Sequence, residues 1–421
     1  MIVEFTIKNF RSIKNEQVLS FFAENKPKHH TGNISYPDDK IGVLKTCAIY
    51  GSNAAGKTNI ILAFEALKSL ITESCDWKDG DGISCYEPYL LSKTTNEQPT
   101  NFEVEFYLDS IRYLYQVEFN KNKILFEKLD VYHSVRPANL FTRTSDDWKD
   151  VKFGDYYKDG KKQIAFFPNN TYLSKAGNTP DSPEIVRKIY NYFRRNTDIM
   201  LTNQMINIAD WDNDDATSLI VNTFLEKVDL GIKKFSMEPK ELPKGFRLPD
   251  GIPTELKDKI LSDLSKEAMF YHEADDGELI HFSSEYESSG TTKLFRMLPF
   301  VVSVLREGSI LFIDEIESSF HPHIAELLIK LFNDPLVNKN DSQLIFTTHD
   351  LSLMTSKTMR KDQIYLTKKD VNNGTTIDCL ESFDTTLKDN SPFSKWYDEG
   401  RLGAIPTINY REISDAIKKV F

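Results

Sequence analysis

The feature that most constrains this chain is the segment Gly51-Ser52-Asn53-Ala54-Ala55-Gly56-Lys57-Thr58, which fits the pattern G-x-x-x-x-G-K-[ST] without a gap. The mostly apolar run 43–50 precedes it and predicts a buried strand, and apolar residues recur at helical spacing in 59–71. A strand, a glycine-rich turn and a helix N-terminus together form a phosphate cradle, because backbone N–H groups can face the anion. The sequence therefore predicts an α/β fold built around a phosphate-binding loop, the P-loop.

The residue types of the P-loop have chemical reasons. Glycine lets the backbone approach phosphate oxygens closely. Lys57 is predicted to reach the β- and γ-phosphates of ATP and to act in catalysis, and the Thr58 hydroxyl is predicted to ligate Mg²⁺. The predicted cofactor-binding residues of this segment are Gly51, Asn53, Gly56, Lys57, Thr58 and Asn59. A chance glycine-rich turn before a helix is the alternative interpretation.

A second motif is the apolar run 309–315, which ends in two adjacent carboxylates and which we call the Asp-Glu strand. Asp314 is predicted to hold Mg²⁺ together with Thr58. Glu315 is predicted to orient and deprotonate the attacking water as the general base. Two acids at the end of a buried strand are costly unless a metal or hydrogen-bond donors satisfy them. An acid pair at a helix N-terminus is the alternative.

Two weaker signals follow the same order along the chain. Residues 287–291, the signature segment, precede a predicted helix and taken alone indicate only a good helix cap. Residues 343–350 read as a strand that ends in His349, and a lone histidine in this place is more often structural. The order is what matters: P-loop, signature segment, Asp-Glu strand, strand with histidine.

This order resembles that of ABC-type ATPases of the SMC/RecF branch, in which two nucleotide-binding domains sandwich two ATP molecules. The resemblance implies that Ser288 and Gly290 contact the γ-phosphate bound by the other subunit. It implies that His349 is a catalytic residue that holds the γ-phosphate and water. It also implies that Arg11, within the segment 9–12, lies near the nucleotide.

Further segments narrow the resemblance. Residues 102–106, 287–291, 316–322 and 400–406 look like those of stand-alone, OLD-like bacterial ATPases of the AAA superfamily. Such proteins are similar to the ATPase subunits of two-gene anti-phage systems of the PARIS and Rlo type. The chain departs from the SMC pattern at Ala54, where glycine is usual, and at Ser289 of the signature segment. Downstream of His349 there is no acidic constellation of the nuclease type, so any Toprim-like nuclease is expected to be a partner.

The resemblance and the pattern of segments together predict a discontinuous organisation. Residues 1–175 would form an N-terminal ABC ATPase lobe with the P-loop, and 267–421 a C-terminal lobe with the signature segment, the Asp-Glu strand and His349. Residues 176–266 would form a mainly helical insertion. The predicted fold is thus an ABC-type nucleotide-binding head, a mixed sheet with helices. Residues 412–421 are predicted to form a packed amphipathic helix.

Charge and cysteine content exclude some classes. With 52 basic and 63 acidic residues the net charge is −11, so the chain does not coat nucleic acid by bulk positive charge, although a local basic groove is compatible with it. Four cysteines without CxxC spacing fit a reducing cytoplasm. No apolar run approaches the roughly 20 residues of a membrane span, and the N-terminus lacks a signal-peptide pattern.

The leading hypothesis is an ATP-driven switch in anti-phage defence. Two heads would form a homodimer or a higher homo-oligomer around ATP, and hydrolysis would separate them, gating a partner effector protein. The alternative is a RecF-like repair ATPase that binds DNA. A transporter ATPase ranks last, because the segment between Lys57 and Ser288 is longer than such subunits need.

Overall fold

The computed structural model describes residues 1–23, 29–202, 211–240, 265–318, 321–383, 387–388, 391–403 and 409–419, together with residues 242, 246, 248, 257 and 261. The strands, in chain order, are β1 (Ile2–Lys8), β2 (Gln17–Ser20), β3 (Ile34–Ser35), β4 (Val43–Leu44), β5 (Thr46–Gly51), β6 (Thr100–Leu108), β7 (Ile111–Phe119), β8 (Ile124–Tyr132), β9 (Ala138–Arg143), β10 (Lys152–Phe153), β11 (Thr197–Met200), β12 (Ile232–Pro239), β13 (Lys266–Glu273), β14 (Leu279–Ser283), β15 (Ile310–Ile313), β16 (Gln343–Thr348), β17 (Ile364–Lys369) and β18 (Thr375–Cys379). The helices are α1 (Lys57–Thr72), α2 (Tyr172–Gly177), α3 (Glu184–Arg195), α4 (Asp215–Lys227), α5 (Ser289–Glu307), α6 (Pro322–Asn333), α7 (Leu380–Phe383), α8 (Phe393–Asp398) and α9 (Tyr410–Lys418).

A seven-stranded sheet with the order β10-β9-β8-β7-β6-β1-β2 forms the outer layer of the N-terminal part. All its neighbouring strands are antiparallel. Strands β6 and β7 form a hairpin around Asp109 and Ser110 and pair from Leu108 and Ile111 outwards. Both turn residues have positive φ, 50° and 61°, as a tight two-residue hairpin turn requires.

A six-stranded sheet with the order β11-β15-β16-β5-β17-β18 carries the predicted motifs. Its strands are parallel except for β18, which runs antiparallel to β17. Strand β5 leads into the P-loop, β15 into Asp314 and β16 into His349. Because parallel strands end at the same edge of a sheet, this register brings the three motifs to one edge.

The parallel sheet is covered on both faces, which explains its continuous apolar strands. Alternate residues of β15 face opposite cores: Ile310 and Phe312 belong to one apolar cluster, and Leu311 and Ile313 to another. The first cluster fills the space between the two large sheets and contains α1 and α3. There Phe64 of α1 stacks on Phe312 with ring centroids 4.3 Å apart. The second cluster lies under α4, α5 and α6.

The segment predicted as a mainly helical insertion, 176–266, contains α3 and α4 but also two strands. Strand β11 pairs in parallel with β15, and α3 packs on α1, so both are part of the head. Strand β12 pairs with β13, and β13 and β14 form an antiparallel hairpin. The sequence pattern did not predict β11 and β12. The prolines at 239, 243, 249 and 253 also predict a loop there, most of which, all but residues 239, 240, 242, 246 and 248, lies outside the described residues. The three domain boundaries stay a prediction.

The C-terminal helix corrects another expectation. Helix α9 is amphipathic, but none of its residues is buried, and Ile413 and Ile417 are each 53% exposed. The prediction that it packs on the body is therefore wrong for the described residues. Across the described part of the chain, no helix has both the length and the apolar character needed to cross a bilayer.

Candidate functional site

The P-loop is enclosed so tightly that glycine is required at its two ends. Gly56 has φ of +105°, and a Cβ there would lie 2.2 Å from Thr375 Oγ1 and 2.8 Å from Ser12 Oγ. A Cβ on Gly51 would lie 2.2 Å from Thr367 Oγ1. Strands β17 and β18 therefore form a wall against the loop, and side-chain-free backbone is what fits between this wall and a phosphate.

Lys57, the first residue of α1, spans the mouth of the loop. Its Nζ donates to the carbonyl oxygens of Gly51 at 2.9 Å and of Ser52 at 3.2 Å. Burial lowers the pKa of this ammonium, and three nearby carboxylates oppose the shift. They are Glu315, Glu317 and Asp314. The cation of the loop thus lies between the P-loop carbonyls and an acidic cluster.

Thr58 and Asp314 meet, as predicted for a magnesium site. The Thr58 hydroxyl lies 3.0 and 3.2 Å from the two carboxylate oxygens of Asp314. Two further hydroxyls donate to the same buried carboxylate, Thr347 Oγ1 at 2.7 Å and Thr202 Oγ1 at 3.2 Å. Hydroxyl and carboxylate oxygens are hard ligands of the kind Mg²⁺ takes, so the residues present fit this ion. When bound there, Mg²⁺ supplies charge neutralisation for phosphate oxygens.

Glu315 is held in an unusual backbone conformation at the end of β15. Its φ is +50°, in the left-handed region that non-glycine residues rarely adopt. Its N–H donates to Thr347 Oγ1 at 2.7 Å, and one carboxylate oxygen lies 3.5 Å from Thr202 Oγ1. Such a conformation costs on the order of 1–3 kcal/mol and is found most often at functional sites. The strain turns the Glu315 backbone away from the strand direction directly after Asp314.

His349 lies next to the loop that follows Glu315. Its backbone N–H donates to Glu317 Oε1 at 2.8 Å, and its ring Nδ1 lies 2.9 Å from the same oxygen. The side chain is nevertheless 58% exposed, so one edge of the ring is held and the other is open. Two residues of that loop, Ser319 and Phe320, lie outside the described residues.

Arg11 lies beside the first turn of α1. Its Nη1 donates to Asn59 Oδ1 at 3.3 Å, and its Nε forms an ion pair with Glu87. Asn59 in turn donates to Ser12 Oγ at 2.6 Å. These residues line a cavity of about 560 Å³ with residues 86–91. Asn53 is exposed at the tip of the P-loop, so the structure places both asparagines and Arg11 around the loop.

The signature segment lies elsewhere. Ser288 caps α5, accepting the N–H of Thr291 at 3.0 Å, and Gly290 is buried in the first turn. Both line a cavity of about 630 Å³ that also includes Lys227 and His321 and to which no P-loop residue contributes. Within the described ranges, no hydrogen bond links Ser288 or Gly290 to the P-loop. The structure therefore brings all the predicted site residues to one edge of the sheet except this pair.

Sequence reasoning missed several residues of the site. Thr347 follows the apolar part of β16. Because parallel strands end at the same edge of a sheet, the sequence could have predicted that Thr347 lies near Asp314. Thr202 follows β11, whose pairing with β15 the sequence did not indicate. Lys293, in the first turn of α5, donates from Nζ to the carbonyl of Ser318 at 2.8 Å. This hydrogen bond connects α5, which begins in the signature segment, to the loop that follows the Asp-Glu strand.

A P-loop whose lysine and threonine meet an Asp-Glu strand at the edge of a parallel sheet is typical of a P-loop nucleotide-binding domain. Residues 47–355 match the family model described as "AAA domain, putative AbiEii toxin, Type IV TA system". This chain belongs to that AAA-domain family, since the match spans well over half of the chain. No curated protein matches the chain in sequence.

Among solved structures, the chain is similar to three heads of SMC proteins. The SMC head domain from Thermotoga maritima is 14% identical, with 90% of this chain and 98% of that chain covered and a TM-score of 0.39. An Smc head bound to the C-terminal winged-helix domain of ScpA is 14% identical, with 90% and 96% covered and a TM-score of 0.42. An Smc head with an extended coiled coil, bound to the C-terminal domain of ScpA derived from Pyrococcus furiosus, is 12% identical, with 90% and 97% covered and a TM-score of 0.41.

Proposed function

We propose that this chain is a Mg²⁺-dependent ATPase that acts as a nucleotide-driven dimeric switch and gates a partner effector. The observation that carries the proposal is the meeting of Thr58 with Asp314, 3.0 Å apart, directly beneath the P-loop lysine. A hydroxyl and a carboxylate from two distant motifs converge there on the place that the metal of a nucleotide would occupy.

The geometry supports the following roles for the residues in this proposal. Lys57 and the N–H groups at the start of α1 hold the phosphates of ATP, and Thr58 and Asp314 hold Mg²⁺. Glu315 accepts a proton from the attacking water, and His349 holds that water by its open ring edge. Catalysis of phosphoryl transfer is mostly positioning and electrostatic stabilisation, so all of these groups must be in place together.

The location of the signature segment supports the dimer. Ser288 and Gly290 lie at the N-terminus of α5, where the helix dipole and free N–H groups favour an anion. They face a cavity away from the P-loop of their own head. We infer that they contact the γ-phosphate held by the P-loop of a second copy. ATP would close the two heads, and hydrolysis would open them, which is a two-state element able to gate a partner.

The description of the family supports a role in bacterial anti-phage defence, since it names an AbiEii toxin and a type IV toxin–antitoxin system. We place the chain in the cytoplasm and propose an effector protein, a Toprim-like nuclease being one candidate class, as the partner that the switch holds or releases.

Steady-state Mg-ATP hydrolysis, with and without linear double-stranded DNA, tests the proposal. The variant Glu315→Gln is the inactive control for hydrolysis. Its molar mass in solution, measured with and without ATP, shows whether ATP makes it dimerise. We expect slow hydrolysis indifferent to DNA and an ATP-dependent dimer of the variant. A variant that stays monomeric with ATP contradicts the switch. Strong stimulation by DNA would favour the repair ATPase instead.

A further inference from the structure

Glu317 is a third carboxylate at the site. It follows the Asp-Glu strand by two residues, and its side chain is only 10% exposed. Its Oε1 accepts the backbone N–H of His349 at 2.8 Å, and ring Nδ1 of the same residue lies 2.9 Å from this oxygen, within ion-pair distance. One oxygen atom therefore holds both the main chain and the ring of the residue that ends β16.

The second oxygen of this carboxylate is less well satisfied. Among the described residues, Glu317 Oε2 is buried and has no hydrogen-bond partner. The Tyr50 hydroxyl and Asp350 Oδ2 are in the same condition. Burial raises the pKa of Tyr50 well above its ordinary value, and the charges of Asp350 and Glu317 add to the shift. A buried carboxylate oxygen without a donor lowers stability, so packing alone gives no reason for a glutamate here.

We propose that Glu317 is a positioning residue for ATP hydrolysis, acting through His349; this rests on the proposed function. Because a carboxylate only accepts hydrogen bonds, its contact with Nδ1 assigns the ring proton to Nδ1. Nε2 then carries a lone pair on the exposed edge of the ring. There it accepts a hydrogen bond from the attacking water and fixes the direction of that water toward the γ-phosphate, while Glu315 takes the proton.

The alternative is a purely structural role, in which Glu317 only holds the loop in place through its hydrogen bond with the backbone N–H of His349. The two roles differ in what a substitution does. In Glu317→Gln the amide oxygen can keep both contacts, with the backbone N–H and with Nδ1, whereas in Glu317→Ala both are lost. A purely structural role predicts that a substitution of Glu317 changes ATP binding and turnover equally. A positioning role predicts a loss of turnover that occurs only while the His349 imidazole is present.

The kinetic test compares kcat and KM for ATP in the wild-type chain, Glu317→Ala, Glu317→Gln, His349→Ala and the double variant Glu317→Ala/His349→Ala. We expect Glu317→Ala to lower kcat roughly 10- to 100-fold with KM changed by no more than about twofold, and Glu317→Gln to retain most of the activity. The double variant should be no slower than His349→Ala alone, because the two residues act as a unit. Multiplicative losses, or a change confined to KM, would overturn the proposal.

A matched control is Glu326→Ala, which removes the carboxylate of another histidine–glutamate pair, His323 and Glu326, 3.4 Å apart on α6. We expect it to leave kcat unchanged. Equal losses in both alanine variants would overturn the assignment to Glu317.

A second measurement does not depend on hydrolysis. In alkaline buffer, nitrogen-15 NMR of histidine-labelled protein reports which ring nitrogen is protonated, and His349→Ala assigns the signal. We expect the Nδ1–H form in the wild type and the Nε2–H form in Glu317→Ala. The Nε2–H form in the wild type would sink the inference whether or not the chain hydrolyses ATP. If the wild type instead hydrolyses no faster than Glu315→Gln, the proposed function fails, and the NMR signal still decides the role of Glu317.

Discussion

At the scale of single residues, the site depends on hydroxyl groups that satisfy buried carboxylates. Thr347 is the clearest case, because its Oγ1 donates to Asp314 at 2.7 Å and accepts the N–H of Glu315 at 2.7 Å. One side chain thus orients the carboxylate of Asp314, the proposed metal ligand, and holds the strained backbone of Glu315, the proposed general base. A hydroxyl that serves both groups is hard to replace, since its loss removes one of the donors to Asp314 and leaves the N–H of Glu315 without this acceptor.

We predict that Thr347→Val, which keeps the shape of the side chain, lowers the free energy of unfolding by about 1–3 kcal/mol, because the buried Asp314 carboxylate loses one of its three hydroxyl donors and the Glu315 N–H loses its acceptor. It should also raise the Mg²⁺ concentration needed for half-maximal hydrolysis. Urea unfolding and a Mg²⁺ titration measure the two effects. Thr347→Ser retains the hydroxyl and serves as the control. A valine variant with wild-type stability and Mg²⁺ dependence would show that Asp314 is held by Thr58 and Thr202 alone.

At the scale of elements, short motifs were predicted well and strand pairing was not. The P-loop, the Asp-Glu strand and His349 lie on strands whose apolar character is visible in sequence, and the structure brings them together. Strand β11 has only four residues, which is too few to show the alternation of apolar and polar residues that indicates a strand. It forms because β15 provides a parallel partner. Thr202 and Glu317 were missed for the same reason, since their roles arise from contacts between segments far apart in sequence.

A buried ion pair fastens α2 to the seven-stranded sheet. Glu127 on β8 accepts the N–H groups of Tyr172 at 2.6 Å and Leu173 at 2.9 Å, at the start of the helix, and the hydroxyl of Tyr115 at 3.0 Å. Arg143 lies 3.8 Å from it, and both side chains are almost fully buried. Burial raises the pKa of Glu127, and the guanidinium and these donors oppose that rise. The charge of Arg143 therefore allows a carboxylate to stay in the core.

We predict that Arg143→Met lowers the free energy of unfolding at neutral pH by about 3–5 kcal/mol, because it leaves an uncompensated buried charge. Without the guanidinium the folded-state pKa of Glu127 rises further above its ordinary value of 4.5. A raised carboxyl pKa contributes stability below the unfolded-state value, and that stability is lost as pH rises through the folded-state value. The deficit of the variant should thus shrink in acid, as urea unfolding across pH can measure.

The matched control for this pair is Arg143→Met combined with Glu127→Gln, which removes both charges. It should be more stable than Arg143→Met alone at neutral pH, and its deficit should not vary with pH in the acid range. If the double variant is as unstable as the single one, the lost contacts of Arg143 with the carbonyls of Asn170 and Pro168 matter more than the charge of Glu127.

At the scale of the whole molecule, the P-loop region and the signature segment lie in two places that do not meet. The P-loop, Asp314 and Glu315 lie at one edge of the parallel sheet, and Ser288 caps a helix over a different cavity. Lys293 joins the two regions from the first turn of α5 to the carbonyl of Ser318. If a second copy contacts the signature segment, as we propose, this hydrogen bond is a direct link from the segment to the loop after Glu315.

This arrangement leads to a prediction for mixtures of two inactive variants. Lys57→Ala disables the P-loop, and Ser288→Asp keeps the helix cap but sets a negative charge where the γ-phosphate of the partner would lie. If each site is built from the P-loop of one copy and the signature segment of the other, a mixed dimer has one site with both parts intact. An equal mixture should recover about one quarter of wild-type ATP hydrolysis, since about half of the dimers are mixed and each has one working site. Steady-state hydrolysis at several mixing ratios measures the recovery. If both parts of a site come from the same copy, every ratio gives no more than the weighted mean of the two variants, and that result would contradict the shared site.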